Sequence, residues 1–162
     1  MKKILNIFIA SLLLLQTACN AAVDTNIDKI LAAEQPPVGV VFEVSSSDDD
    51  GFDWAAPLLK TYAMQLRKKF PELKLAVVAH GLEQFQLTRE KRQQHAGTHS
   101  KVQSLVKDDD IDVHVCGNFA SMLGVDKKEF VDFVKVAERA PLKIDAFRQA
   151  GYRLVILTPP NN

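Results

Sequence analysis

The stretch "VHVCGN" places Cys116 at the end of an apolar run, directly before a glycine and an asparagine. Cysteine is a nucleophile in its thiolate form, which the backbone N–H groups at a helix N-terminus favour. Asn118 is a candidate N-cap of a following helix, and Gly117 allows another backbone or a ligand to approach closely. The pattern predicts a thiolate, or a bound persulfide, at a strand-to-helix turn. The alternative is an inert packed cysteine, because free cysteine is among the most buried residue types.

Two histidines are placed to act with this cysteine or to support it. His80 follows a second apolar run in "VVAHG" and is a candidate for taking the Cys116 proton or for polarising a sulfur acceptor. The alternative for His80 is a strand-end histidine that is hydrogen-bonded to the backbone. His114 lies two residues before Cys116, hence on the same face of a strand, and we expect it to be a structural, hydrogen-bonded histidine.

A second histidine pair, His95 and His99, has the spacing of neighbours on one helix face, which could bind a metal ion. Gly97 lies between them, and no third ligand is near in the sequence. A metal-binding protein that uses both histidines with Cys116 is therefore retained only as a third hypothesis. We predict no metal and no cofactor.

The N-terminus has the pattern of an export signal. Two lysines precede an apolar run from Ile4 to Leu15, and small residues follow in "TACNAA". Because the run is shorter than a membrane span, we predict a signal peptide over residues 1–21 and a periplasmic or secreted protein. "QTAC" also resembles a lipoprotein box with Cys19 as lipid acceptor, although Gln16 stands where such boxes usually carry an aliphatic residue. We favour soluble release and keep the lipid anchor as the alternative.

Composition limits the remaining function classes. The 162 residues carry 20 basic and 20 acidic side chains, so no basic excess indicates a nucleic-acid partner. The chain has two cysteines, and Cys19 is either removed or lipidated, which leaves Cys116 without a partner in its own chain. We predict a linker over residues 22–37 and one domain over residues 38–162.

The elements that position Cys116 and His80 follow from hydrophobic periodicity. Apolar positions recur every four residues from a candidate N-cap at Asp53 to Phe70, which predicts a helix. Residues 83–107 indicate helix at both ends, with Gly97 as an interruption. Short β-branched or apolar runs predict five strands, at residues 38–44, 73–79, 111–116, 132–137 and 152–157.

Strands that alternate with helices predict an α/β fold with a doubly wound, mainly parallel five-stranded sheet and helices on both faces. Ligands bind such sheets along the edge where the strands end. Cys116 ends the third strand and His80 follows the second, so we expect both at that edge.

Four segments together resemble the DsrE/DsrF-like sulfur-relay superfamily: "VVFEV", "LAVVAHG", "VHVCGNFASMLGV" and "FRQAGYRLVIL". The resemblance spans roughly residues 38–157. It implies a doubly wound α/β fold and a homo-oligomer such as a trimer or hexamer. It also implies a cysteine that carries persulfide sulfur between partners. By position, Cys116 would bear the sulfur, and the residues lining its site would be His80, Gly81, Gly117 and Asn118.

Two function hypotheses follow for this exported chain. The first is a sulfur carrier or sulfurtransferase-like protein with a persulfide on Cys116. Its partners would be a sulfur donor or acceptor protein, or a small sulfane-sulfur compound. The second is a non-catalytic, oligomeric binding or assembly module in which Cys116 is structural. Fast alkylation of Cys116 in the native protein would favour the carrier, whereas protection until unfolding would favour the module.

Overall fold

A computed structural model of the protein describes residues 25–159. The predicted signal peptide and Cys19 lie outside these residues. No helix of the described part is long and apolar enough to cross a membrane. The strands are β1 (Gly39–Val44), β2 (Lys74–Ala79), β3 (Ile111–Cys116), β4 (Lys135–Ala137) and β5 (Tyr152–Leu157). The α-helices are α1 (Thr25–Ala32), α2 (Gly51–Lys69), α3 (Ala96–Lys107), α4 (Gly117–Met122) and α5 (Ala140–Gln149).

The five strands form one sheet in the order β4-β3-β2-β1-β5, and every neighbouring pair is parallel. All the strands therefore end at the same edge. From β1 to β4 the chain crosses the sheet in one direction, and it then returns to place β5 on the other side of β1. Right-handed crossovers put the helix of this return connection on the opposite face from the earlier helices. The predicted parallel α/β fold is confirmed.

The two faces of the sheet are covered very differently. Helices α1, α2 and α3 pack on the face that includes Phe42, Val44 and Ala79, which we refer to as the α2 face. Helix α5 packs on the other, the α5 face, where Val41 and Val78 lie in a much smaller buried cluster. Neighbouring residues of a strand point to opposite faces, which explains why Val41 and Phe42 belong to different clusters.

Helix α2 begins earlier than the sequence predicts. Its N-cap is Asp50, and the predicted cap, Asp53, lies inside the helix. The cause is a side chain from a distant segment, because the Gln86 Oε1 atom accepts the backbone N–H of Phe52 at 2.8 Å. The first turn of α2 thus obtains a partner that is 34 residues away and that no local pattern encodes.

The segment after β2 also differs from the prediction of helix at both ends with an interruption at Gly97. Residues Leu82–Leu87 and Glu90–Arg92 form short 3-10 helices, and α3 includes Gly97 in its first turn. Three polar side chains of the first 3-10 helix, Glu83, Gln84 and Gln86, are fully buried and bond to backbone groups elsewhere. The first 3-10 helix is therefore held by side-chain bonds to distant backbone groups, which no local sequence pattern predicts.

The segment predicted as a linker contains α1 within its described part. Ile27 and Ile30 of this helix are buried in the core of the α2 face. The ammonium group of Lys69, at the end of α2, donates to the carbonyl oxygen of Leu31. Residues 25–32 are thus packed onto the domain.

Candidate functional site

Helix α5 leaves one corner of its sheet face uncovered. Val41, Val78 and Leu154 pack beneath α5. The residues two positions further along on the same face do not belong to this buried cluster. The side chains of Glu43 and His80 are 21% and 25% exposed, and Ile156 is 50% exposed. Glu43 lies directly beside Ile156 in the β1–β5 register. We refer to Glu43, His80 and Ile156 as the open corner, which lies at the carboxyl edge of the sheet.

A histidine–carboxylate pair forms the centre of the open corner. The His80 Nε2 atom lies 2.8 Å from the Glu43 Oε1 atom. The His80 backbone N–H donates to the Val44 carbonyl at 3.1 Å, which holds this residue against the end of β1. His80 is therefore bonded to a side chain on a neighbouring strand, in addition to the backbone bond that its N–H makes.

Cys116 lies beside the open corner on the same face. Ala79 pairs with Val115 in the β2–β3 register. The next residue after each of them is His80 and Cys116, so these two residues follow at the ends of adjacent strands. No hydrogen bond joins these two side chains in the described part of the protein. Instead, the Cys116 Sγ atom accepts the backbone N–H of Ala140 at 3.4 Å. The thiol is buried, with 5% of the residue exposed.

Ala140 is the first residue of α5, so the thiol meets the N-terminus of a ten-residue helix. The sequence predicts a helix N-terminus at this cysteine, but assigns it to the helix that immediately follows. In the structure Cys116 is itself the N-cap of that helix, α4, and the predicted N-cap, Asn118, lies inside it. The Asn118 backbone N–H donates to the carbonyl of Glu138 at 2.9 Å. The exposed Asn118 side chain contacts the sulfur of Met122.

The backbone of Cys116 is held by the buried side chain of Gln84. The Gln84 Oε1 atom accepts the Cys116 N–H at 2.7 Å, and the Gln84 Nε2 atom donates to the Cys116 carbonyl at 3.4 Å. One side-chain amide thus bonds both backbone groups of the cysteine, where a neighbouring strand would otherwise bond them. Sequence reasoning missed Gln84, because its role depends on a residue 32 positions away.

The two predicted site glycines allow close packing of backbones. A Cβ atom at Gly117 would lie 3.0 Å from the carbonyl oxygen of Ala137, so a side chain there would press on β4. A Cβ atom at Gly81 would collide with the backbone of Ser46 and the carboxylate of Glu83. Protein atoms thus fill the space beside both glycines.

Glu83 is a buried carboxylate beneath the open corner. Its Oε2 atom accepts the N–H of Ser46 at 2.7 Å, and its Oε1 atom accepts the N–H of Gly81 at 2.9 Å. Burial raises the pKa of Glu83, although these two N–H groups and the nearby His80 act in the opposite direction. Glu83 therefore joins the loop after β1 to the loop after β2, which carries His80.

The histidine pair of the metal hypothesis lies apart from Cys116. His99 is buried, and its Nε2 atom lies 2.6 Å from the carbonyl oxygen of Gln86, while burial lowers its pKa. The Nδ1 atom of His95 lies 3.2 Å from the Nε2 atom of Gln86. Among residues 25–159, no group of three or more His, Cys, Asp or Glu side chains is arranged to hold a metal ion.

His114 is buried on the α5 face, as its position in β3 predicts. Its ring packs edge-on against Phe147 of α5, with ring centroids 5.7 Å apart. The expectation of a fully hydrogen-bonded histidine is not met, since its Nε2 atom is buried without a partner. Burial lowers the pKa of His114 to about 4. His114 is therefore a neutral packing residue behind Cys116.

A cleft of about 570 Å³ lies at the other edge of the sheet. It is lined by residues of α1, by the end of α5 and by the start of β5, among them Lys29, Arg148 and Arg153. Neither Cys116 nor any residue of the open corner lines it. The candidate site is assigned to the carboxyl edge because the thiol and the histidine–carboxylate pair both lie there, whereas no cysteine or histidine lines the cleft at the other edge.

Comparison with known proteins identifies the fold. No family model matches the sequence, and no curated protein matches it. The structure is similar to that of MTH1491 from Methanobacterium thermoautotrophicum, a protein of unknown function, with a TM-score of 0.57 and 19% identity. The match covers 73% of this chain and 97% of that one.

Two further structures are similar at lower sequence identity. The ychN protein from E. coli matches with a TM-score of 0.53 and 11% identity, over 74% of this chain and 99% of that one. BT1422 from Bacteroides thetaiotaomicron, of unknown function, matches with a TM-score of 0.50 and 10% identity, over 72% and 94% of the two chains. These neighbours have the DsrE/YchN-like fold. At such identities the likeness establishes the fold of this chain.

Proposed function

We propose that the protein is an exported sulfur carrier that holds a persulfide on Cys116. The observation that carries this proposal is the contact between the Cys116 Sγ atom and the Ala140 N–H at the start of α5. A backbone N–H and the positive end of a helix dipole stabilise negative charge on sulfur, in a thiolate and in a persulfide anion. The location at the carboxyl edge of a parallel sheet also supports the proposal, because ligands bind such sheets there.

The proposed reaction has two steps. The Cys116 thiolate attacks the outer sulfur of a donor persulfide, forms a new S–S bond, and releases the donor's thiolate. A thiolate of the acceptor then attacks the outer sulfur of the Cys116 persulfide, and the electron pair of the broken S–S bond returns to Cys116. No net oxidation occurs, so the cycle needs no cofactor. The donor and acceptor are proteins with reactive thiols or small sulfane-sulfur compounds.

Export from the cytoplasm belongs to the same proposal and is supported by the signal-like pattern of residues 1–21. In an oxidising compartment an exposed thiol is readily capped or oxidised. The 5% exposure of Cys116 limits such reactions. A carrier that works there therefore benefits from a thiol that only a small donor or a docked partner can reach.

The same low exposure favours a second candidate function, an oligomeric binding or assembly module in which Cys116 only packs. Three exposed apolar side chains near the cysteine support this alternative. Met122 and Leu123 at the end of α4 are 73% and 53% exposed, and Leu142 in the first turn of α5 is 58% exposed. These side chains are available for contact with a second copy of the chain.

The test of the carrier is the intact mass of the purified mature protein after incubation with polysulfide, beside a Cys116→Ser variant. Serine keeps a small polar side chain next to Ala140 and removes only the sulfur chemistry. We expect the wild type alone to gain whole sulfur atoms, and a reductant to reverse the gain. An unchanged wild-type mass, together with alkylation of Cys116 only after unfolding, would exclude the carrier in favour of the module.

A further inference from the structure

The Glu43–His80 pair has the arrangement of an acid–base group, and the proposed transfer reaction gives it no role. Glu43 occupies the Nε2 side of the ring, and the Nδ1 atom has no hydrogen-bond partner among the described residues. Both side chains are partly exposed at the open corner. A carboxylate bonded to one ring nitrogen fixes the orientation of the ring.

His80 and Cys116 are also next to each other in the backbone of the sheet, and no bond joins their side chains. They follow the paired residues Ala79 and Val115, and neighbouring strands of a sheet lie about 4.8 Å apart. The thiol is already bonded to Ala140, and the His80 ring is bonded to Glu43 on the side of β1. An S–S unit that meets Cys116 with one sulfur would thus have its other sulfur free to reach His80.

Sulfur transfer creates a need for such a group. When a thiolate attacks an S–S bond, the departing sulfur carries away an electron pair, and it leaves more easily when its thiol has a low pKa. Alkyl thiolates and hydrosulfide are basic, so a proton delivered in the transition state speeds their departure. The Ala140 N–H stabilises the attacking sulfur, and the departing sulfur needs a group of its own.

We propose that His80 is the general acid that protonates the departing sulfur of the donor, and that Glu43 is the positioning residue that holds the protonated ring. The assignment of a persulfide as the biological donor rests on the proposed function. The acid step itself applies to any disulfide-type donor with a basic leaving group.

A dialkyl disulfide is the simplest donor for this step. The electron pair of the Cys116 thiolate forms a bond to the nearer donor sulfur, and the donor S–S bond breaks. Its electron pair remains on the departing alkylthio sulfur, which takes the proton from His80. The products are a mixed disulfide on Cys116, a free alkyl thiol and neutral His80, which regains a proton from solvent. Oxidation of Cys116 is matched by reduction of the departing sulfur.

Two small reagents that leave the same group on Cys116 test this assignment. Dimethyl disulfide releases methanethiolate, a basic leaving group that needs a proton. Methyl methanethiosulfonate releases methanesulfinate, a weakly basic anion that departs without one. Both produce S-methylthio-Cys116, so intact-mass spectrometry follows the same product in each reaction. Reaction with these reagents requires no sulfane sulfur and is therefore independent of persulfide formation.

The variants are His80→Gln and Glu43→Gln, with His95→Gln as a control. His95 is also a partly buried histidine bonded to a side chain, but it contacts Gln86. General acid catalysis typically contributes about 100-fold or more. We expect His80→Gln to slow the reaction with dimethyl disulfide by about 100-fold. The reaction with methyl methanethiosulfonate should slow by less than about threefold. Glu43→Gln should slow the disulfide reaction by about tenfold, and His95→Gln should slow neither.

Equal losses with both reagents in His80→Gln would overturn the acid role, because they would indicate a distorted Cys116. Unchanged rates with both reagents, or no reaction of the wild type with methyl methanethiosulfonate, would overturn it as well. These outcomes are distinct from failure of the carrier proposal, which appears as the absence of sulfur gain from polysulfide. A chain that takes no sulfane sulfur can still show the difference between the two leaving groups.

Discussion

The two faces of the sheet differ in how far helices cover them at the carboxyl edge. On the α2 face three helices bury the strands as far as Val44 and Ala79, their last residues. On the α5 face a single ten-residue helix covers the middle of the strands, and Glu43, His80 and Ile156 beyond it are partly exposed. The same strands therefore present an apolar core on one side and a partly exposed histidine–carboxylate pair on the other. Completing the cover on the α5 face would bury Glu43 and His80 and close the approach to Cys116.

The comparison predicts that equal truncations cost unequal amounts of stability. Leu59 in α2 is fully buried in the large cluster, and Ile144 in α5 is 6% exposed in the small one. We expect Leu59→Ala to lower the free energy of unfolding by about 4 kcal/mol and Ile144→Ala by about 2 kcal/mol, since the cost rises with the cavity left behind. Urea unfolding measures both. Equal losses would show that the two faces contribute alike.

Acid should weaken the α5 face through His114. Its folded-state pKa of about 4 is below the ordinary value of 6.5, so the native protein holds this ring neutral. The corresponding stability is fully present above pH 6.5 and is lost as the pH falls towards 4. One pKa unit corresponds to about 1.4 kcal/mol, which gives a loss of about 3 kcal/mol.

Urea unfolding at pH 7 and pH 4 measures this loss in the wild type and in a His114→Leu variant. We expect the variant to lose about 3 kcal/mol less between the two pH values. Some acid sensitivity should remain, because burial also lowers the pKa of His99 on the α2 face. An identical acid loss in both proteins would rule out the role of His114.

Two buried glutamines of the same 3-10 helix each accept one distant backbone N–H. Gln84 bonds the backbone of Cys116, and Gln86 bonds the backbone of Phe52 at the start of α2. Replacing either with leucine leaves a buried N–H without its partner, at a cost of about 2 kcal/mol. We therefore expect similar losses of stability from Gln84→Leu and Gln86→Leu in urea unfolding.

Only Gln84→Leu should change the reactivity of Cys116. Iodoacetamide alkylation of the folded protein measures this, with Gln86→Leu as the matched control. A several-fold change in the alkylation rate of Gln84→Leu alone would show that Gln84 supports the site, whereas Gln86 supports only the core. The same change in both variants would indicate that the 3-10 helix Leu82–Leu87 responds as one unit.

Local sequence patterns predicted the strands well because each buried strand carries its own signal. Runs such as "VGVVFEV" and "YRLVIL" are β-branched and apolar, and they appear as β1 and β5. Helix α5 was likewise marked, by Pro141 in its first turn and by Gly151 with a positive φ just past its end. The parallel direction of the strands followed from the alternation of strands and helices.

The parts that were not predicted depend on contacts between distant residues. The first turns of α2 and α4 were misplaced because bonds to Gln86 and to the backbone of Glu138 set their geometry. Cys116 and His80 were expected at the carboxyl edge and lie there. Glu43 was missed, although a carboxylate inside an otherwise apolar buried strand is a signal that could have been noticed.

The amide of Gln84 has a consequence for the motions of the protein. The backbone N–H of Cys116 depends on a side chain from a short 3-10 helix, whereas most strand residues depend on the sheet. Hydrogen exchange at this position should therefore proceed when that helix lifts away, at a free energy below that of global unfolding. The same local opening would free the backbone around the thiol. The rate of deuterium exchange at the Cys116 amide therefore reports how often this backbone becomes mobile.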